Sequence, residues 1–182
     1  MFGGRIFGYL ATVFFVLCQG HAYAAESKLR SLYTTLQKCK SVERLQLPER
    51  TLGQAKGSGI LRCRGINGYS IYVIDDDPRS WLVLERDNRL APLDRQMVSD
   101  FKIGNFPNVA GSKNVEWRVD RHGKAVGLIV RVSYQRSDIS ANSPASQASA
   151  LFAFDIRDFP PSLLGIAQNN AEARELLDKA LR

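Results

Sequence analysis

Three consecutive carboxylates, Asp75-Asp76-Asp77, followed by Pro78 and Arg79, are the densest group of hard oxygen ligands in this chain of 182 residues. Adjacent carboxylates can hold a calcium or magnesium ion. These lack the alternating Asp-x-Asp-x-Asp-Gly spacing and the downstream bidentate Glu of a calcium loop, so they read as a solvated turn, and no metal site is expected. Arg79 is placed to partner one of them, and Asp75, Asp76, Asp77 and Arg79 together form a candidate interaction loop. A second group is cationic. Arg62 and Arg64 flank Cys63, while Arg118, Arg121, Lys124 and Arg131 surround a later hairpin, and pairing of those elements would build a basic face. Acids are interleaved throughout and no nucleic-acid-reading motif occurs, so nucleic acid is not an expected partner. An anionic envelope component, a polysaccharide or an acidic periplasmic protein fits the charge.

Catalytic constellations are scarce. Of two histidines, His21 lies in the leader and His122 in a predicted hairpin turn before Gly123 and Lys124, which is a solvated position. No Gly-x-Ser-x-Gly, His-Glu-x-x-His, P-loop or Cys-x-x-Cys motif occurs. The reading is therefore of a protein without catalytic residues, without a cofactor and not an enzyme.

The N-terminal residues set the compartment. Arg5 precedes an uncharged, mostly apolar run from Ile6 to Cys18, then Ala22-Tyr23-Ala24. Charge, apolar core and a small-residue site in that order make a secretory signal peptide over 1–24, cleaved after Ala24 and leading to the periplasm or medium. Two alternatives stand beside it, acylation at Cys18 and retention as an uncleaved anchor. Leu17 is a poor residue before an acylated cysteine. The run is shorter than a bilayer span of roughly 18 to 20 residues, and the mature chain carries no second one. Cleavage leaves residues 25–182, the size of one ordinary domain. It also removes Arg5 and no acid, lowering the net charge from +7 to about +6, which favours anionic partners. Cys39 and Cys63 are then the remaining cysteines, and in an oxidising compartment they form one structural disulfide.

The elements that position these residues follow mostly a period of two. Ser31–Lys38 reads as a strand, with a short helix over 26–37 as the alternative. Residues 45–58 read as loop. Gly59–Arg64 is a strand, and Tyr69–Ile74 and Arg79–Arg86 form an antiparallel hairpin around the aspartates. Asn114–Asp120 and Ala125–Tyr134 form a second hairpin, with Gly123 supplying the positive φ of its turn. One face of this hairpin is expected in the core and the other largely in water. The segment 87–111 is a long connection with a helical turn near Met97, Val98 and Phe101, and 136–149 is a loop. Ala150–Ile156 is a further strand. A helix over about 170–181 opens on Asn169 and Glu172, with Leu176, Leu177, Ala180 and Leu181 as its apolar stripe. Its residues Glu172, Arg174, Glu175, Asp178 and Lys179 are expected in solvent. The fold class is mainly β (α+β), a single antiparallel-sheet domain, sandwich or partly open barrel, with a C-terminal helix.

The stretch from Cys39 through C-R-G-I-N-G-Y (63–69) and S-I-Y-V-I-D-D-D-P-R-S (70–80) to V-E-W-R-V-D-R-H-G-K-A-V-G-L-I-V-R (115–131) resembles a family of small exported alphaproteobacterial proteins. That resemblance implies export, a disulfide and a β-rich fold, and nothing catalytic. Those relatives tend to read Glu-Gly-Asp where Asp75-Asp76-Asp77 stands here. The shorter Gly-Tyr-x-Ile-x-Val…Asp-x-Arg-Ser stretch is similar to periplasmic lysozyme inhibitors. The expected function is a non-enzymatic periplasmic or envelope binding module, with an inhibitor of a cell-wall hydrolase as the first alternative and an unfamiliar envelope enzyme as the second.

Overall fold

Period-two patterning becomes paired strands wherever β-branched and aromatic residues alternate. The computed structural model describes residues 29–53, 58–76, 78–109, 112–137 and 147–181. The leader, Asp77 and the middle of the expected 136–149 loop lie outside them. One antiparallel sheet has the order β1 (Arg30–Thr35), β10 (Asn114–Val119), β11 (Ala125–Arg136), β12 (Gln147–Asp155) and β13 (Ser162–Ala167). Strand β9 (Gly104–Asn108) pairs with the far end of β11. A second sheet orders β2 (Lys40–Ser41), β5 (Ser58–Arg64), β6 (Ser70–Asp76), β7 (Arg79–Arg86) and β8 (Arg89–Pro92). A small hairpin joins β3 (Arg44–Gln46) to β4 (Thr51–Gly53).

The sheets share one continuous core. Val115, Trp117, Leu128, Val130, Phe152 and Phe154 from the first belong to the same buried cluster as Ile71, Val73, Leu82 and Leu84 from the second. Trp117 lies 5.5 Å from the Tyr69 ring, and the Tyr69 hydroxyl donates to the Ile156 carbonyl at 2.7 Å. The disulfide Cys39–Cys63, with Cα atoms 4.4 Å apart, ties the segment before β2 to β5. Segment 30–35 is strand rather than helix because Leu32 and Thr34 stand opposite Trp117 and Val115 in register.

A helix, α1 (Asn170–Ala180), forms a third layer on the outer face of the first sheet. The Asn169 side chain accepts from the Glu172 N–H at 3.0 Å, satisfying one of the free donors of the first turn. The Glu172 carboxylate reaches back to the Gln168 N–H at 2.9 Å. Ala173 and Leu177 bury against Ile129, Leu151 and Ala153. Close approach depends on glycine: a Cβ at Gly127 would stand 2.6 Å from a Leu177 methyl, and one at Gly165 would stand 3.1 Å from a Leu176 methyl.

The outer face of the β10–β11 hairpin is consequently covered near its turn, contrary to its alternating pattern, and stays open only toward Asn114 and Ser133. Glu116, Arg118, Gly127 and Ile129 lie beneath or beside the helix. Arg174 and Asp178, expected in water, turn toward the sheet, whereas Glu175 and Lys179 form the expected exposed i, i+4 pair at 2.7 Å. Strands also form where the sequence pattern predicts none. Residues 45–58 hold parts of β3, β4 and β5, 87–111 hold β8 and β9 with a π-helical turn at Arg95–Ser99, and β13 follows Pro161. These strands are short, or their apolar residues do not alternate, so pairing with a neighbour decides them rather than local pattern.

Candidate anion-binding cleft

Strand β11 is twelve residues long, and the helix covers only its first part. Gly127 and Ile129 sit under α1, Arg131 reaches the helix start, and Ser133 stands exposed beyond it. Where coverage ends, a cleft of about 400 Å³ opens. Its walls carry Tyr33, Lys113, Asn114, Arg131 and Asn170, and Ile129 and Leu151 give it an apolar floor. The Arg131 guanidinium donates to the Ser149 hydroxyl at 2.9 Å and to the Asn170 side-chain oxygen at 3.4 Å. The Arg131 carbonyl accepts from the Ser112 hydroxyl at 2.7 Å. Among the described residues neither Arg131 nor Lys113 has a carboxylate partner.

Glu116 is the acid at this cleft, and its charge is already spoken for. It is 5% exposed and Arg118 4% exposed. Arg174 donates to both Glu116 oxygens, at 2.7 and 3.0 Å, Ser31 donates at 2.6 Å and Tyr33 at 3.3 Å. Arg118 lies 3.8 Å from Glu116 and 3.0 Å from Asp178. Burial by itself pushes the Glu116 carboxyl up. The hydrogen bonds from Arg174 and Ser31, with the charges of Arg174 and Arg118, outweigh it and hold the group below its ordinary value. The hydrogen bond to Glu116 is the main cause that raises Arg174. The network pairs the Glu116 charge with Arg174 and Arg118 behind the cleft, so Lys113 and Arg131 dominate its field.

The residues singled out by sequence fall in separate places. Asp75 and Asp76 end β6, with Asp76 register-opposite Arg79, while Asp77 lies outside the described residues. The Arg79 guanidinium lies over the Phe106 ring at 5.6 Å. Arg62 pairs with Glu85 at 2.8 Å and covers Tyr72, and Arg64 is exposed on the same strand. Arg121 donates to the His122 ring, and Lys124 is exposed at the same turn, whose Asp120 carboxylate accepts from the His122 and Lys124 amides. Arg118 is buried under the helix. Of the six basic residues, Arg131 alone lines the cleft, so they do not converge on one cationic face. Lys113, Tyr33 and Asn170 were not legible as site residues, because each comes from a different element and only the sheet order β1-β10-β11 and the helix start bring them together. Among the described residues no group of three His, Cys, Asp or Glu side chains gathers as metal ligands.

No protein-family model, curated protein or solved structure matches this chain.

Proposed function

We propose that the protein is an exported, non-enzymatic binding module that holds an anionic group of an envelope component or acidic partner in the cleft between β1, β10, β11 and the start of α1. The observation that carries this reading is the pair Lys113 and Arg131. Among the described residues both are cations without a carboxylate partner, and they face a cleft whose Glu116 is neutralised from behind. A half-buried arginine fork, preset by Ser149 and Asn170 over an apolar floor, suits a carboxylate or phosphate. The net charge, +7 for the full sequence and about +6 without the leader, adds long-range attraction for anions. The same charge repels basic lysozymes, which disfavours the hydrolase-inhibitor alternative.

Titration of the isotopically labelled protein with sodium galacturonate and with inorganic phosphate tests the site. Amide shifts should concentrate at residues 112–114, 131, 133 and 170, weaken with salt, and be reduced about tenfold or more in affinity by Arg131→Ala. Shifts centred instead on Arg64, Arg121 or Lys124, or stoichiometric inhibition of a lysozyme, would refute the reading. Export is tested by N-terminal peptide mapping of the periplasmic fraction, where Ala25 is the expected first residue. An intact 1–24 segment on cytoplasmic protein refutes it.

A further inference from the structure

The cleft does not end at Ser133. That residue also lines a second hollow of about 580 Å³, bounded by Phe106, Asn108, Tyr134, Gln135 and Gln147. Ser133 and Ser149 are register partners on β11 and β12, as are Gln135 and Gln147. Alternation places Arg131, Ser133 and Gln135 on the same outer face. The two hollows meet at Ser133, and the strand advances about 13 Å from Arg131 to Gln135, a track that runs to the sheet edge, where Pro78 of the β6–β7 turn also lines the second hollow.

The chemistry changes along that track. Its helix end carries the two cations Lys113 and Arg131. Its middle carries hydroxyls and carboxamides, and among the described residues the side chains of Ser133, Gln135 and Gln147 have no hydrogen-bond partner. A carboxamide offers donors and an acceptor in one plane, which suits ligand hydroxyls that both donate and accept. The far end carries Phe106, 40% exposed, with Arg79 over its ring. Phe106 has φ of 52°, a left-handed conformation that a bulky non-glycine residue rarely adopts. An exposed ring held there presents an apolar surface beside the amides. Such a ring stacks on the C–H face of a pyranose.

We infer that this track binds an acidic polysaccharide, with one uronate carboxylate held between Lys113 and Arg131 and the adjoining sugar rings lying along Ser133, Gln135 and Gln147 toward Phe106. The inference rests on the proposed anion site and adds the class of its occupant. An acidic polypeptide fits less well, because it offers neither ring hydroxyls to the carboxamides of the track nor a pyranose C–H face to the Phe106 ring.

Calorimetry of the purified protein with galacturonate, tetragalacturonate and tetraglutamate separates the possibilities. Tetragalacturonate should bind about tenfold more tightly than the monomer. Phe106→Ala and Gln135→Ala should each weaken the tetramer several-fold and leave the monomer unchanged, while Arg131→Ala weakens both. Gln147→Ala, at an exposed position, reads the same contact without a folding risk, and melting curves check every variant. If the monomer binds through Arg131 but the tetramer gains nothing, or if Phe106→Ala, Gln135→Ala and Gln147→Ala are all silent, the polysaccharide track is wrong and the anion site stands. Tetraglutamate binding as tightly as tetragalacturonate replaces the glycan with an acidic polypeptide. No binding of either carboxylate ligand at Lys113 and Arg131 overturns the inference and the anion site together.

Discussion

Replacing Glu116 by Gln should move stability and ligand affinity in opposite directions. Removing one member of a buried ionic group typically costs about 3 to 5 kcal/mol, because the partner is left charged and unpaired. Here Arg118 retains Asp178 at 3.0 Å and Ser31 at 2.6 Å, and the Arg174 side chain, 36% exposed, can rehydrate. The cost therefore falls to about 2 to 3 kcal/mol, or roughly 5 to 10 °C in thermal midpoint for a domain of this size. Affinity rises for a different reason. Glu116 is register-opposite Ile129, two residues from Arg131, so a carboxylate on Arg131 lies about 7 to 10 Å from it. At an effective dielectric of about 20 that repulsion is about 2 kcal/mol, and physiological salt cuts it to about 0.6 kcal/mol, a threefold gain in affinity once it is removed.

The pH dependence fixes the sign independently. The folded-state pKa of Glu116 is lowered, so its stabilisation is complete above the unfolded value of about 4.3 and is lost as pH falls through the folded value. The stability gap between wild type and Glu116→Gln should be wide at neutral pH and close below about pH 4. Urea melts from pH 7 down to pH 3, with galacturonate titrations at two ionic strengths, measure both effects. A gap that does not change with pH, or a variant that binds the anion no better at low salt, would refute the electrostatic account of the cleft.

Two further outcomes follow from the core and the disulfide. Replacing both Cys39 and Cys63 by Ser should cost roughly 3.5 kcal/mol by denaturant titration, since the bridge closes a loop with a sequence separation of 24, and non-reducing peptide mass spectrometry should find the two peptides linked. Trp117 is fully buried, packs at a tilt against Tyr69 and donates to the Thr34 hydroxyl at 2.8 Å, so Trp117→Ala should cost about 3 to 5 kcal/mol, whereas His122→Ala at the exposed turn should stay within about 0.5 kcal/mol.

Local chemistry explains what was legible in the sequence. The Asn169–Glu172 cap, the Gly123 turn with its φ of 78°, and the strands on either side of the aspartates each depend on residues within a few positions of one another. Strand β13 escaped because Leu163, Leu164 and Ile166 do not alternate cleanly, and its pairing with β12 shifts register between Ala153 and Phe154. The hairpin β3–β4 escaped because three residues on each side carry too little pattern to outweigh Pro48 and Gly53.

The outer face of β10 shows why the cleft was harder to read than the fold. A period of two tells which residues share a face and says nothing about what covers that face, so Glu116 and Arg118 were assigned to water. Their partners nevertheless carry a matching code. Two residues along a strand advance about 6.6 Å, and four along a helix advance about 6 Å, so Glu116-x-Arg118 and Arg174-x-x-x-Asp178 are ladders of nearly equal rung spacing and opposite charge. Each rung closes in the fold, Arg174 on Glu116 and Arg118 on Asp178. That match is visible only once α1 is placed across the first sheet, a placement set by Gly127 and Gly165 admitting Leu177 and Leu176. The same placement leaves Arg131 past the helix start, with no carboxylate partner among the described residues, so one packing arrangement both neutralises Glu116 and exposes the cations of the cleft.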